Sequence, residues 1–566
     1  MKRWVVKEVP ERDLVLKLSS DINVSEPIAG LLLQRGVLDY DSAKKFFRPL
    51  LDGLHDPFLM KDMDKAVSRL EKAILKEEKI LIYGDYDVDG TTSVSLFYGF
   101  LKSIYPNLDY YIPDRYSEGY GVSFTGIDWA QNNGISLIVS LDCGIKDIEK
   151  VLYAKEREID FIICDHHLPG DNIPPAFAVL DPKRKDCEYP FKELSGCGVG
   201  FKLLQGFCQK NNIPLERLYP FLDLLSVSIA SDIVPIIDEN RIFTFYGLKR
   251  LNDAPRPGLK ALIETAGLRT PLDISSVVFG IGPRINAAGR IEHGKSAVEL
   301  LLSDSENEAL ELAGGINTKN AIRRNFDESI TLEALQMIEA DIESKSANST
   351  VLFKNDWHKG VIGIVASRCI EKYYRPTIIL TESNNKATGS ARSVNGFDVY
   401  EAISECAELL DHYGGHMYAA GLTLSIEKLS EFKLKFEEAV SKRITPEQLI
   451  PMIEIDFNLN LGQINSNFYK VIKQIGPFGP KNMQPVFVSE KVEVVRPVSL
   501  IKEDHIKLRV KQGNSASFDA IGFCMGSKMN EINNQKYLDI CYVICENEFR
   551  GERSLQLNLK DIKVSD

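Results

Sequence analysis

Lys79-Ile80-Leu81-Ile82-Tyr83-Gly84-Asp85-Tyr86-Asp87-Val88-Asp89-Gly90 decides the fold. An apolar run ends in a glycine, three aspartates alternate, and an apolar segment of helix type, Thr91 to Phe100, follows. The pattern is that of strand, loop and helix. It puts the carboxylates at the C-terminal tip of a strand, where open α/β sheets bind their ligands. Three aspartates so close repel one another and together need a cation. The opening D-x-D-x-D-G also matches a calcium EF-hand loop, but that loop follows a helix and ends in a glutamate at its twelfth position. Here a strand precedes, and the twelfth residue is Leu96. A solvated acidic turn is the alternative that this stretch leaves open.

The pattern repeats downstream. Ile135 to Leu141 is a largely apolar run of the parallel-sheet type that ends in Asp142-Cys143-Gly144. Ile159 to Cys164 ends in Asp165-His166-His167, and Phe177 to Leu180 ends in Asp181-Pro182. Strands alternating with helical spacers indicate βαβ units and a parallel sheet. One tip aspartate is an ordinary helix N-cap; several tips bearing Asp or His make a constellation. Leu222 to Ile229 is apolar and leads into Ala230-Ser231-Asp232. Ser195-Gly196-Cys197-Gly198-Val199-Gly200 is not G-x-G-x-x-G and lacks an acidic residue placed for a ribose, which excludes dinucleotide binding. The loop after Tyr110-Tyr111-Ile112 carries Arg115 and two glycines, either a plain turn or a close approach to a ligand.

At 566 residues the chain is too long for one core, and about three or four domains are expected. Its 44% apolar and 26% charged residues are ordinary for a globular protein. The net charge of −12 argues mildly against nucleic acid, but overall charge cannot see a basic cleft. No run approaches the ~18 apolar residues of a membrane span, and Trp4-Val5-Val6-Lys7-Glu8 is no secretory core, so no membrane and a cytoplasmic location are expected. The ten cysteines form no C-x-x-C pair and read as free and mostly buried, with Cys541 and Cys545 on one face of a strand.

The residues from Asp85 to Asp232 resemble the DHH phosphoesterase superfamily. The carriers are Asp85-Tyr86-Asp87-Val88-Asp89-Gly90, Leu141-Asp142-Cys143-Gly144, Asp165-His166-His167 and Ala230-Ser231-Asp232. The resemblance implies two divalent ions. Asp87 and Asp142 are implied ligands of one, and Asp89, Asp142, His166 and Asp232 of the other, with Asp142 bridging. His167 is implied to face the substrate phosphate as a catalytic group; Asp85, where some branches carry histidine, is the other catalytic candidate. Mixed carboxylate and imidazole ligands suit Mn²⁺ and admit Mg²⁺. Two ions ~4 Å apart suit phosphoryl transfer.

Residues 1–75 read as a helical lead-in, 76–245 as the DHH domain and 246–345 as a helical connector with a long helix from about Ser305 to Glu343. Within the connector, Gly282 to Arg290 reads as a phosphate-contacting turn carrying Arg284 and Arg290. A smaller α/β domain at 346–442 contains Gly389-Ser390-Ala391-Arg392-Ser393 and a Gly414-Gly415-His416 loop, similar to the DHH-associated domain. Small residues around one arginine suit an anion, although Arg392 alone would read as a solvated side chain. At 450–566, about five strand-like runs suggest a β-barrel, an OB-fold if nucleic acid is bound. These runs are Val486–Val488, Val492–Val495, His505–Val510, Phe518–Phe523 and Leu538–Cys545. Alternation puts Lys507 and Arg509 on one face as strand contacts.

Arg284 to Arg290, Trp357 to Arg368 and the Pro477-Phe478-Gly479 turn before the barrel are similar to one branch of that superfamily, from about residue 20 onward. That branch degrades single-stranded DNA in the 5′→3′ direction, releasing 5′-mononucleotides in repair and recombination. The resemblance implies single-stranded DNA, a single-strand-binding protein and a helicase as partners. It implies Arg115, Ser390 and Arg392 as a 5′-phosphate pocket, with Arg284, Arg290, Gly415 and His416 as further substrate contacts. One departure is Pro477 to Pro485, where a Gly-Asn-Pro run is expected; it concerns the barrel edge. The alternatives are a hydrolase of short oligonucleotides or cyclic dinucleotides, which needs no barrel, and a non-catalytic DNA-binding scaffold, which would lack ligands that are all present here.

Overall fold

Every apolar run that ends in a tip aspartate is a strand in the computed structural model, which describes residues 2–341, 345–502 and 504–565. The chain divides into two bodies, one of Val6–Asn317 with Glu454–Asp566, the other of Thr318–Ile453 with the first five residues.

A short strand, β1 (Arg3–Val6), precedes helices α1 (Arg12–Ile22), α2 (Glu26–Leu33) and α3 (Tyr40–Phe47). Asp39 caps α3, accepting from Ser42 N–H at 2.8 Å. The buried faces of these helices, Val15, Leu18, Ile28, Leu31, Leu32 and Ala43, share one core with Ile506, Leu508, Leu538 and Leu559 of the C-terminal barrel. Helices α1 to α3 of the lead-in are therefore part of the barrel's packing, whereas Leu51, Leu54, Phe58, Met60 and α4 (Met63–Leu75) pack with the core of the central sheet.

That sheet follows in order as β2 (Lys79–Gly84), α5 (Val88–Lys102), β3 (Leu108–Tyr111), α6 (Phe124–Asn132), β4 (Ile135–Leu141), α7 (Ile148–Lys155), β5 (Asp160–Cys164) and β6 (Ala178–Leu180). Its strand order is β3-β2-β4-β5-β6, and every pairing is parallel. Alternate residues feed opposite faces. Ile80, Ile82, Val139 and Ile162 pack in the core that includes α4, α5, α8 (Gly196–Lys210) and α9 (Leu222–Ser231), while Leu81, Tyr83, Ile138 and Phe161 pack with α6 and α7. Because the strands are parallel, Asp85, Asp142, Asp165 and Asp181 emerge from one edge. After α9 comes α10 (Asp238–Asp253). Its buried Arg241 donates to the Phe46 carbonyl (2.9 Å) on α3, and to the Ile475 (2.9 Å) and Gly476 (2.9 Å) carbonyls ahead of the barrel, with its guanidinium 3.8 Å from the Phe46 ring centre.

The stretch expected as a turn at Gly282 to Arg290 is a helix, Gly282–Ile291, preceded by one π-helical turn, Val277–Ile281. Pro283 lies in its first turn, where no amide bond is lost, and Ala287 and Ala288 are good helix formers. The long helix runs Glu306–Ala340, and the expected end at Glu343 lies outside the described residues.

The second body holds β7 (Thr350–Phe353), β8 (Thr377–Ser383), β9 (Lys386–Arg392), β10 (His412–His416) and β11 (Ala419–Leu424), in the order β10-β11-β9-β8-β7. The Gly-Gly-His segment, expected as a loop, is strand β10, paired antiparallel with β11.

β12 (Met452–Ile455) pairs with β1, and the C-terminal sheet follows as β13 (Phe457–Asn458), β14 (Phe487–Ile501), β15 (His505–Lys511), β16 (Phe518–Gly522), β17 (Tyr537–Phe549) and β18 (Glu552–Val564). The order β14-β15-β16-β18-β17, closed by β14–β17, makes a five-stranded barrel of OB type. Two expected strands are one: β14 carries Val488 and Val492 through a bulge. β18 escaped the sequence reading because only Leu555, Leu557 and Leu559 keep the apolar alternation; Arg553 precedes them in the same phase, and buried Asp561 takes the next inward position. Of the cysteine pair, Cys541 is buried and Cys545 half-buried, with a bulge after Cys541. The Pro477–Pro485 segment packs against the barrel: Phe478 lies against its core, and Gln484 Nε2 donates to the Ile544 carbonyl of β17 at 3.2 Å. Gly476–Pro477 is cis, buried Asn482 donates to the Ile475 and Pro477 carbonyls, both at 2.9 Å, and the Pro480 carbonyl accepts from Ile236 N–H at 2.8 Å. Among the described residues, no helix is long and apolar enough to cross a membrane.

Candidate metal centre

The aspartate loop is built by close backbone contact. A Cβ on Gly90 would lie 2.3 Å from the Asp85 carbonyl, and one on Gly84 2.8 Å from the Gly90 carbonyl, so the loop can double back only with glycine at both places. Asp87 caps α5, accepting from Gly90 N–H at 2.9 Å. It is thus an N-cap and a site candidate at once. Asp85 is fully buried; one oxygen accepts from Gly121 N–H at 3.3 Å and the other has no hydrogen bond.

Asp89 is held by the helices packed beside α5 on the same face of the sheet. Gly196 N–H and Cys197 N–H, at the start of α8, donate to it at 2.6 and 2.9 Å, and Ser228 Oγ of α9 donates at 2.7 Å. This gives the glycine-rich turn its purpose. A Cβ on Gly196 would lie 2.5 Å from Asp142 Cβ, so only glycine lets the helix start against both aspartates. Asp142 itself sits at φ 60.

His166 is the meeting point. Its Nε2 lies 3.2 Å from Asp142 Oδ1, 3.5 Å from Asp232 Oδ2 and 3.8 Å from Asp89 Oδ2. Asp142 Oδ1, Asp232 Oδ2 and both His166 nitrogens are buried without a hydrogen bond. Buried polar atoms are almost always satisfied, and Asp142 Oδ1, Asp232 Oδ2 and His166 Nε2 converge on one point with the donor chemistry of a divalent cation. Burial and mutual repulsion with Asp89, Asp87 and Asp232 push the Asp142 carboxyl well above the usual range. Burial and the charges of Asp89 and Asp87 do the same to Asp232. Asp85 is raised by burial and Asp87, and Asp87 by burial and Asp89. Burial lowers His166 to about 4, leaving a neutral imidazole suited to ligation. A bound cation reverses the carboxylate shifts, and the residues fit one.

His167 is differently placed. Its Nδ1 is 2.8 Å from Asp165 Oδ1, and its Nε2 is 3.1 Å from the Tyr120 hydroxyl. Burial opposes its charge, but the Asp165 hydrogen bond outweighs that and raises it to about 9. Asp165 also accepts from His166 N–H at 2.7 Å and Ile145 N–H at 2.9 Å, and these bonds with the imidazolium hold its carboxyl below the usual range despite burial. Asp165, Tyr120, Gly196 and Ser228 carried no role in the sequence reading. Asp165 opens the Asp-His-His triplet, so a signal existed for it; a hydroxyl brought from a distant loop or helix leaves none.

Around this edge, Arg115 lies 4.8 Å over the Tyr86 ring. The Tyr116 hydroxyl donates to the Arg290 carbonyl. Arg284 donates to the Gly280 carbonyl at 2.6 Å and to Asn317 Oδ1 at 2.9 Å, contacts internal to this region. In the other body, Arg392 donates to Ser390 Oγ at 2.9 Å on β9. A Cβ on Gly363, at the start of the helix Ile362–Lys372, would lie 2.8 Å from Arg392 Nη2, so that helix begins beside the pair. Gly415, at φ 150, faces Ala420 across the β10–β11 ladder, and His416 faces Ala419. On the barrel, Lys507 and Arg509 do share the outer face of β15, and Asp519 lies 3.3 and 3.8 Å from them.

Comparison with known proteins agrees with this organisation. The DHH family N-terminal domain matches residues 79–229, the DHHA1 domain 345–442 and the RecJ OB domain 455–561. The single-stranded-DNA-specific exonuclease RecJ of Bacillus subtilis is 37% identical over all of this chain and 71% of its own length. That of Escherichia coli is 33% identical over 88% of this chain and 90% of its own. The crystal structure of RecJ from Thermus thermophilus in complex with Mn²⁺ superposes with a TM-score of 0.85 at 25% identity, covering 100% of this chain and 80% of that one. A five-strand parallel sheet with Asp and His at its tips, an α/β second domain and a closed OB barrel therefore belong together here, and the chain belongs to the RecJ family of single-stranded-DNA-specific exonucleases.

Proposed function

We propose that the chain removes nucleotides from the 5′ end of single-stranded DNA by phosphodiester hydrolysis at the β2–β4–β5 tips. It is a metal-dependent exonuclease using Mn²⁺ or Mg²⁺. The observation that carries the reading is the convergence of Asp142 Oδ1, His166 Nε2 and Asp232 Oδ2, buried and without hydrogen bonds. Asp89, Asp142, His166 and Asp232 would hold one ion, and Asp87 with Asp142 a second. Such ions, when bound, supply Lewis acidity to the attacking water and to the phosphoryl oxygens.

The chain's own residues do the rest. The α8 amides and Ser228 hold Asp89 in one orientation. Asp165 fixes the ring of His167 and keeps it protonated, so that its Nε2–H, now directed at the Tyr120 hydroxyl, is a charged donor for a non-bridging phosphate oxygen. Asp85, buried under the loop, completes the acidic edge as the other catalytic candidate. Arg115, Arg284 and Arg290 supply positive charge along the catalytic body. The barrel face with Lys507 and Arg509 grips the strand's backbone.

Ser390 and Arg392 are assigned to the terminal 5′-phosphate, with Gly415 and His416 as further contacts. A guanidinium and a hydroxyl 2.9 Å apart suit a dianion. Hydrolysis that leaves a new 5′-phosphate regenerates the group this pair binds, which supports 5′→3′ progression. A place in DNA repair and recombination in the cytoplasm, beside a single-strand-binding protein and a helicase, follows from the same reading. The test compares native protein with Arg392→Ala on 5′-phosphate and 5′-hydroxyl strands in Mn²⁺. The native enzyme should release nucleotides from the 5′ end and prefer the phosphate, and the variant should lose most of that preference. Release from the 3′ end, or an undiminished preference, would refute the polarity and the pocket.

A further inference from the structure

Two large apolar side chains stand in water at the edge of the metal centre, and folding explains neither. Ile233 directly follows Asp232, at φ 60, and is 65% exposed. A β-branched residue in the left-handed region is strained, and glycine or asparagine would end α9 there at lower cost. Phe279 is 79% exposed on the π-helical turn Val277–Ile281, whose Val277 and Ile281 are buried. Single π turns gather at functional sites, where the extra residue re-aims side chains.

Both belong to one rim. A Cβ on Gly282, three residues beyond Phe279, would lie 2.8 Å from Ser231 Oγ, next to Asp232. A Cβ on Gly289 would lie 2.9 Å from the Tyr86 carbonyl, between Asp85 and Asp87. The helix Gly282–Ile291 therefore runs along the centre from Asp232 to the aspartate loop. Its far end carries guanidinium and phenol groups, Arg115 over Tyr86 and Tyr116 on the Arg290 carbonyl. Its near end is apolar, with Ile233 and Phe279. A single strand offers these two chemistries in alternation along its length, charged phosphate and flat apolar base.

We propose that Ile233 and Phe279 clasp a nucleobase next to the cleaved phosphodiester, a contact that rests on the exonuclease reading and deepens it. The base stacks on the Phe279 ring, which tolerates any sequence because every base has a π face. Ile233 packs against the base or its sugar beside Asp232 and stops the strand sliding past the ions. A paired base in a duplex has no free face to offer, so the clasp selects unpaired strands.

The test uses a thymidine strand and a strand of equal length and 5′-phosphate made of abasic residues, in Mn²⁺. On the thymidine strand, Phe279→Ala should raise KM about 5- to 150-fold, Ile233→Gly should raise it as well, and Phe279→Trp should restore it. On the abasic strand the native KM should rise to that of the variants, so that the ratio of variant to native falls to about one. Phe279 is nearly free of the core and Ile233→Gly releases strain, so both variants should melt close to the native protein. Unchanged KM on the thymidine strand, or a deficit that persists undiminished on the abasic strand, would overturn the clasp. A native protein that releases no nucleotide from the thymidine strand would instead overturn the exonuclease reading.

Discussion

Asp142→Asn separates the cost of the metal centre from its benefit. Asp142 is 1% exposed, and its Oδ1 has no hydrogen bond. Without a cation, a buried unpaired polar atom costs ~1–3 kcal/mol, more when charged, and Asp89, Asp87 and Asp232 add repulsion. Asparagine keeps the shape and removes the charge, so in chelator the variant should be more stable by at least ~1 kcal/mol, or ~1 °C for a cooperative unit of this size. Saturating metal reverses the order. At ~100 times the native Kd, Mn²⁺ stabilises the native protein by ~2.7 kcal/mol, or ~3 °C. The variant, short of the ligand shared by both implied ions, should show almost none of that shift and release no nucleotide. Calorimetry with and without Mn²⁺ measures all four melting temperatures. A variant that melts lower than native in chelator and keeps the Mn²⁺ shift would refute the reasoning.

Gly196→Ala should behave as a ligand mutation without touching a ligand, because its Cβ would lie 2.5 Å from Asp142 Cβ and 2.7 Å from Asp142 Cα; a native Mn²⁺ shift in that variant would refute the packing argument. Lys507→Gln with Arg509→Gln should lower the slope of log affinity against log salt for long single strands by no more than about 1.4, since Asp519 already offsets part of their charge; an unchanged slope places the backbone grip elsewhere. Asp181 is fully buried, and burial raises its carboxyl to about 7. A raised carboxyl leaves the fold unpenalised below the unfolded value near 4, and stability is lost as pH rises from there through about 7. Asp181→Asn should therefore gain ~2–4 kcal/mol over the native protein at pH 8 and nothing at pH 4; parallel stability curves across that range would refute it.

The parallel sheet and its tips were legible because both signals are local: an apolar run of the right length, then an acid. Asp85, Asp87, Asp89, Asp142, His166 and Asp232 could be picked out for that reason. What the sequence concealed was reach. Nothing in Gly196 or Ser228 announces a partner more than a hundred residues upstream, yet they orient Asp89. The helical lead-in read as a segment without chemistry and gave no sign of its partner, whereas the apolar faces of α1 to α3 are spent on the barrel at the other terminus. β14 was divided because a bulge breaks the period of two, and β18 was lost because its alternation is short and a charged residue, Asp561, takes an inward position where an apolar one is expected.

The Arg241 guanidinium, clamped on carbonyls from α3 and from the segment ahead of the barrel, has a kinetic meaning. It ties the segment ahead of the barrel to α10 of the catalytic body, so the distance from barrel to sheet acts as a ruler. A strand shorter than that gap can touch one end only, and one nucleotide past it touches both. With a flexible tether the gain from the second grip would be spread over many lengths. With a rigid one, dissociation should slow in a single step as substrate length crosses the gap. Each strand should then be abandoned at nearly the same residual length, whatever its sequence.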